Sequence, residues 1–195
     1  SKYDPNNTIT IRNDCEVKEH QGVKVWRHQF KAAKVPEFDE WFSDIAGREV
    51  NLVKMTDESE RYKSLVKAPS RTRLSMADGY PYLILSEATL ADLNTKLETE
   101  VGMDRFRPNI VIENAKAYEE ESMDKFTISD VKWRMIKPCA RCIMVNIDQK
   151  TQEKLVEPLK TLSLYKKKGN KVYFGMNAVC LERGTIHKGD QISNI

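Results

Sequence analysis

The sequence lacks several features that mark specialised classes of protein. No apolar run approaches the roughly 20 residues that a membrane-spanning helix needs. Residues 1–7 are polar and contain no apolar core of a secretory signal. Four cysteines in 195 residues are too few for a disulfide scaffold, so we expect a reducing compartment, the cytoplasm.

A strong excess of one charge is also missing. The 32 basic and 29 acidic residues leave a formal net charge of +3, whereas a nucleic-acid-binding protein concentrates a basic face. We therefore expect no nucleic-acid partner. The 40% hydrophobic and 31% charged residues are ordinary for a globular protein, and the chain is long enough to bury a sizeable core. No internal repeat is visible.

Short apolar alternations predict a β-rich chain with three brief helices. Strands are expected at residues 8–12, 23–27, 49–55, 82–85, 110–112, 126–128, 131–136, 143–147, 172–175, 178–181 and 191–192. Helices are expected at residues 36–47, 86–102 and 158–165. On the first helix an apolar face is predicted as core, namely Phe38, Trp41, Phe42 and Ile45. The fold class is mixed α+β and β-rich, with a closed or hook-shaped barrel.

The chain is organised around the stretch 137–143, which contains a Cys-x-x-Cys pair. Cys139 and Cys142 flank Arg141, whose charge favours a thiolate, and thiolates bind thiophilic metals. Pro138 cannot donate a ladder hydrogen bond, so we expect the strand to break there and expose both cysteines on a turn. A single pair is a weak signal, and two ordinary loop thiols are the competing interpretation.

A zinc or redox Cys-x-x-Cys site is a further alternative for these thiols. It lacks a second ligand pair, since His20, His28 and His187 are scattered along the sequence.

Two basic segments are candidates for binding an anion. At 105–109, two arginines, a proline and an asparagine lead into a strand, which suggests an oxyanion-binding corner, with surface ion pairs as the alternative. Residues 56–72 read as an exposed connection that is either a solvated face or an approach to an anionic ligand. Its basic residues, with one just beyond it, are Arg61, Lys63, Lys67, Arg71 and Arg73.

Five landmarks in a fixed order resemble one known family. They are residues 78–88, 105–110, 138–143, 174–177 and 184–190. The chain is similar to MOSC domains, the family of the molybdenum cofactor sulfurase C-terminus and the mitochondrial amidoxime-reducing component, and looks closest to bacterial relatives of the latter. The resemblance implies a MOSC-type β-barrel with a few short peripheral helices at 23–195. Residues 1–22 would be the remnant of a preceding β segment.

The resemblance also implies a cofactor and its contacts. The family binds molybdenum cofactor (molybdopterin), and Cys142 matches the metal-ligating, catalytic cysteine of its amidoxime-reducing members. Arg107 and Asn109 match contacts to the pterin or its phosphate. The other cofactor-binding positions implied by the resemblance are Asp78, Gly79, Tyr80, Ala140 and Arg141. No family role is expected for Cys139.

The implied activity is reduction of a small N-hydroxylated compound with loss of its oxygen as water. Electrons would come from a separate redox protein of the iron–sulfur or haem type, since we expect no C-terminal iron–sulfur domain. The alternative is a non-catalytic cofactor- or sulfur-carrier module in which Cys142 accepts a persulfide or cofactor. A bacterial source and pyridoxal phosphate binding are also expected from the resemblance. Family members of this type usually carry a Lys-Ser pair and an arginine in an N-terminal β segment, where these residues hold the cofactor phosphate. We find no convincing equivalent of them before Val23.

Overall fold

A computed structural model describes residues 7–65, 67–68 and 71–195. The chain forms two compact units. The first covers the described residues up to Lys63 together with Arg73–Asp78. The second covers Gly79–Ile195 together with the described residues between Ser64 and Thr72. Strands account for 32% of the chain and helices for 19%, which confirms the β-rich prediction.

A three-stranded antiparallel sheet is the centre of the first unit. It is formed by β1 (His20–Val25), β2 (His28–Lys34) and β3 (Val53–Lys54), in that order. Two-residue strands follow at β4 (Tyr62–Lys63) and β5 (Thr72–Arg73). Ala32, Ala33 and Val35 are almost completely buried and form part of the apolar core of this unit.

Helix α1 (Asp39–Ala46) follows a 3₁₀ turn at Pro36–Phe38 and ends at Gly47. Gly47 has φ 63°, the left-handed conformation that glycine adopts without steric cost at a helix end. The predicted helix is therefore confirmed. Its predicted core face is wrong in part, because only Phe38 is buried and Ile45 is 44% exposed.

Other predictions for this unit need correction. Residues 8–12 form no strand within the described part of the chain, although alternation predicted one. The single strand expected at 23–27 is a hairpin, because the chain turns at Trp26 and Arg27 and returns as β2. The strand expected at 49–55 shortens to β3.

A curled, half-barrel sheet of seven strands is the centre of the second unit. Its strands are β6 (Tyr82–Ser86), β7 (Ile110–Ile112), β8 (Lys125–Ile128), β9 (Val131–Arg141), β10 (Lys167–Lys168), β11 (Lys171–Cys180) and β12 (Ile192–Asn194). The order is β12-β8-β9-β11-β6-β7, with β10 paired to β11. Only β6 and β7 run parallel, and they are joined through α2 (Glu87–Asn94). The third helix is α3 (Leu159–Tyr165).

Ser86 begins α2 as predicted, since its hydroxyl accepts a hydrogen bond from the Thr89 amide. Leu93 is fully buried, whereas Leu90 and Leu97 are partly buried beside it. Further 3₁₀ turns lie at Met103–Arg105, Glu119–Glu121 and Ile143–Asn146. No helix in the described part of the chain is long and apolar enough to cross a membrane.

Two apolar clusters pack in the second unit, and β11 contributes to both. Phe174 belongs to the cluster with Leu85 and Leu162, whereas Met176 belongs to the cluster with Trp133. The side chains of residues two apart on a regular strand lie on the same face of the sheet. Phe174 and Met176 contact different clusters, so the side-chain direction changes between these two positions. A register shift against β9 accompanies the change. This β-bulge lets one strand supply both clusters.

Three strand predictions for this unit were wrong. Pro138 does not break the strand, because β9 continues to Arg141 with Pro138 opposite Met176. The strand expected at 143–147 is mainly a 3₁₀ turn. The two strands expected at 172–175 and 178–181 are one long strand, β11.

Candidate functional site

Four neighbouring residues form one row from β9 through β11 and β6 to the residue that precedes the edge strand β7. Asn109 begins the row, because its backbone N–H donates to the Leu83 carbonyl and its Oδ1 accepts from the Leu83 N–H, each over 2.8 Å. Leu83 is paired with Asn177, and Asn177 is paired with Lys137. These contacts connect Asn109, the end of the 105–109 motif, to the strand that carries Cys139 and leads to Cys142.

Asn177 supports β9 at the proline. Its side-chain amide donates to the carbonyls of Lys137 (3.4 Å) and Pro138 (3.3 Å), and only 9% of the residue is exposed. Asn177 was not predicted as a functional residue. The sequence signal that could have identified it is a polar asparagine among the apolar residues of this strand.

Arg141 links the thiol pair to the segment that leads to Arg107. Its Nη2 donates to the Phe106 carbonyl over 2.8 Å, and its guanidinium lies 5.5 Å from the Phe106 ring centroid. Its Nη1 lies 3.3 Å from the Sγ of Cys139. Its Nε is buried and has no partner among the described residues.

The two thiols of the Cys-x-x-Cys pair differ in their surroundings. Cys139 is half-buried in β9 and accepts the hydrogen bond from Arg141. Cys142 follows the end of β9, is exposed, and its Sγ makes no hydrogen bond within the described part of the chain. Of the four cysteines, it is the exposed one, since Cys15 and Cys180 are also half-buried. The prediction of two exposed thiols on a turn therefore holds only for Cys142.

The two arginines of the 105–109 motif have different environments. Arg105 is buried and pairs with Asp148 over 2.6 Å. The backbone amides of Thr151 and Lys150, with the charge of Arg105, hold the pKa of Asp148 below its ordinary value, against the opposing effect of burial. Arg107 is exposed, and no residue in the described ranges forms an ion pair with it.

Arg107 also has an unusual backbone conformation. Its φ of 53° is uncommon for a residue other than glycine, and such residues are enriched at ligand-binding sites. The sequence predicted an anion-binding corner here or surface ion pairs. The structure leaves Arg107 available for an anion and assigns Arg105 to a buried ion pair.

Tyr80 and Ala140 also belong to the second unit. Lys137 places its ammonium group 4.9 Å from the Tyr80 ring centroid, a cation–π contact. Ala140 lies in β9 opposite Tyr173. Gly79 precedes Tyr80 at the start of this part of the chain.

The remaining predicted residue, Asp78, lies in the first unit. Its Oδ1 accepts a hydrogen bond from the indole N–H of Trp26 over 3.1 Å. Arg61 donates to the carbonyls of Ser75, Ala77 (2.6 Å) and Asp78 (3.4 Å). These contacts fix the conformation of the chain immediately before Gly79.

Arg61 is buried, although it was predicted to lie within an exposed connection. Only 1% of the residue is exposed. Burial lowers the pKa of its guanidinium, and the Asp78 carboxylate opposes that shift. Its contacts to main-chain carbonyls make it a structural residue that holds a loop.

A family model described as MOSC domain matches residues 71–193. The chain belongs to the MOSC domain family. The matched region includes the 105–109 motif and both cysteines of the central pair. The assignment of 23–195 to the MOSC-type domain, with 1–22 as a preceding remnant, stays a prediction.

The chain is similar to amidoxime-reducing components and to molybdenum cofactor sulfurases. Mitochondrial amidoxime-reducing component 1 of Homo sapiens is 39% identical over 131 residues, which cover 63% of this chain and 39% of that protein. Mitochondrial amidoxime reducing component 2 of Bos taurus is 43% identical over 95 residues, covering 48% and 28%. Molybdenum cofactor sulfurase of Oryza sativa subsp. japonica is 33% identical over 153 residues, covering 70% and 19%. The chain thus spans less than half the length of each relative.

The residues of the second unit fit an anionic cofactor that carries a thiophilic metal. Within the described ranges, Arg107 is an exposed cation without an ion pair, and the buried Nε of Arg141 has no partner. Cys142 is an exposed thiol, a soft type of metal ligand. Among the described residues, no group of three or more His, Cys, Asp or Glu side chains is arranged to hold a metal ion.

Proposed function

We propose that the chain belongs to a molybdenum-cofactor oxidoreductase that reduces N-hydroxylated compounds, with Cys142 as the protein's ligand to the metal. The contrast between the two thiols carries the proposal. Arg141 engages Cys139, whereas Cys142 is exposed and its Sγ has no hydrogen-bond partner in the described ranges. The amidoxime-reducing relatives supply the substrate class by name.

The same geometry suggests how the cofactor is held. Arg107 would bind the phosphate, because a guanidinium presents a planar fork that matches its oxygens. Asn109 accepts the Leu83 N–H with its side-chain oxygen, which leaves its amide nitrogen to donate to the pterin. Tyr80, Gly79 and the preceding Asp78 would form a neighbouring cofactor loop. Ala140 and Arg141 would lie beside the metal ligand.

When bound, the molybdenum cofactor supplies a metal centre that accepts and returns two electrons. In the proposed reaction the N–O bond of the substrate breaks, two electrons and two protons are added, and the oxygen leaves as water. A separate redox protein of the iron–sulfur or haem type would provide the electrons. Cys142 would tune the metal through its thiolate, and Arg141 would fix the strand from which Cys142 extends.

The alternative activity is a sulfur- or cofactor-carrier function. The same exposed Cys142 thiol suits a persulfide, and the sulfurase relative favours this chemistry. The two proposals make different demands on the chain. A reductase turns over substrate many times, whereas a carrier holds one sulfur atom or cofactor per chain.

Turnover of a simple aryl amidoxime, driven by a chemically reduced dye, tests the proposal without the natural electron donor. Protein from a host that makes molybdenum cofactor should form the amidine, Cys142→Ser should abolish turnover, and Cys139→Ser should retain most of it. Equal activity of the two variants would refute the role of Cys142. No turnover, with an added sulfur atom on Cys142 in the intact mass spectrum, would support the carrier instead.

Cytoplasmic location, a bacterial source and pyridoxal phosphate binding stay predictions. The physiological substrate would be a small N-hydroxylated compound.

A further inference from the structure

A groove in the second unit joins the two outer strands of its sheet. In the strand order, β7 and β12 occupy opposite ends, yet residues from both line a single cavity of about 1050 Å³. The curled sheet therefore brings its two edges to one opening. An edge strand presents backbone N–H and C=O groups that another extended segment can pair with.

The floor of this groove is apolar. It includes Ile110 and Ile112 from β7, Ile128 from β8 and Ile192 from β12. Ile112 and Ile128 also belong to the apolar cluster around Trp133. Val111, between the two β7 isoleucines, is 40% exposed. An inserted strand would find an apolar surface for every second side chain, because successive side chains of a strand face opposite sides.

The groove is bordered by more acidic than basic groups. Its lining contains four carboxylates, Glu87, Glu113, Glu119 and Asp190, and one lysine, Lys188. Asp190 accepts the His187 N–H and Glu119 accepts the Lys116 N–H. Glu87 and Glu113 form no ion pair with any described residue. This charge disfavours an anionic phosphate and favours a cationic ligand.

We propose that this groove binds an extended, basic segment of a partner protein, which adds as a strand along β7. Alternate apolar side chains of the segment would pack on the isoleucine floor. The lysines or arginines between them would pair with Glu87 and Glu113. Backbone pairing would supply affinity, and the acidic border would select the charge of the partner.

A pair of synthetic peptides tests this proposal. One nine-residue peptide alternates lysine with valine, the other alternates glutamate with valine, and each carries one fluorophore for anisotropy titrations. The lysine peptide should bind saturably and lose affinity as salt rises, and the glutamate peptide should not bind. The double variant Glu87→Lys with Glu113→Lys should weaken binding by about tenfold or more, because two attractions become repulsions.

A matched control variant has Glu98→Lys with Glu100→Lys. Both residues are exposed and lie outside the groove, so binding should be unchanged apart from the small effect of net charge. Peptide-induced changes in amide NMR signals should include Ile110–Ile112 and Ile192–Asn194. Cys142→Ser should bind the peptide as well as the wild type does, so this proposal can fail independently of the proposed function.

Three kinds of result would overturn the proposal. One is the absence of saturable binding, or equal binding of both peptides. Another is equal weakening by the groove and control variants, or signal changes confined to residues outside the groove. The third is a stable dimer, measured by light scattering, whose formation protects the β7 amides, because a second copy would then occupy the groove.

Discussion

Arg141 donates a hydrogen bond from Nη1 to the Sγ of Cys139 over 3.3 Å. The same guanidinium donates to the Phe106 carbonyl, directly before Arg107. One side chain therefore couples the strand that carries Cys139 and leads to Cys142 to the segment that carries Arg107. The guanidinium of Arg141 is thus held beside Cys139 by the Phe106 carbonyl, whereas Cys142 is exposed.

Arg141 should affect both stability and cofactor binding, whereas Arg107 should affect binding alone. Arg141→Met removes the hydrogen bond to Phe106 and should lower the free energy of unfolding by about 1–2 kcal/mol. Arg107→Met removes an exposed charge without a described partner and should change it by less than about 0.5 kcal/mol. Urea unfolding of the two variants measures the difference. Equal destabilisation would contradict the roles assigned to these arginines.

Gly175 should resist substitution because it forms the β-bulge in β11. Its φ is 76°, and an added Cβ would lie 3.0 Å from the Ile84 carbonyl oxygen. Gly175→Ala should therefore destabilise the protein by about 1–3 kcal/mol. Gly22→Ala is the matched control, since a Cβ there meets nothing within 4 Å. Thermal unfolding of both variants measures the effect. If Gly175→Ala left the stability unchanged, the positive φ of Gly175 would not be required for the bulge in β11.

Asp148 should make stability depend on pH in the acid range. Its pKa in the folded protein is lowered, so its contribution is complete above its ordinary value of 3.8 and is lost as pH falls through the lowered value. Asp148→Asn should be less stable than the wild type at pH 7, and the difference should shrink towards pH 3. Urea unfolding at both pH values measures it. A constant difference for Asp148→Asn would contradict the assignment.

The local signals of the sequence identified several elements correctly. Ser86 at the start of α2 and Gly47 at the end of α1 act as predicted, because caps depend on residues close in sequence. The hairpin of β8 and β9 also follows from local alternation and a two-residue bend.

The remaining errors arise from tertiary contacts that local patterns do not encode. Pro138 stays within β9 because the Asn177 side chain donates to its carbonyl and to that of Lys137 from the neighbouring strand. Arg61 is buried because three carbonyls of a distant loop accept its hydrogen bonds. Likewise, the contact between Arg141 and Cys139 and the difference in burial of the two thiols are tertiary features that the Cys-x-x-Cys spacing does not encode.

Molybdenum content per chain, determined by elemental mass spectrometry after expression in a host that makes the cofactor, shows whether Cys142 holds the metal. We expect nearly one molybdenum per chain for the wild type and for Cys139→Ser, and a strong loss for Cys142→Ser. A well-folded wild-type chain without molybdenum, or equal molybdenum in the two cysteine variants, would contradict this expectation.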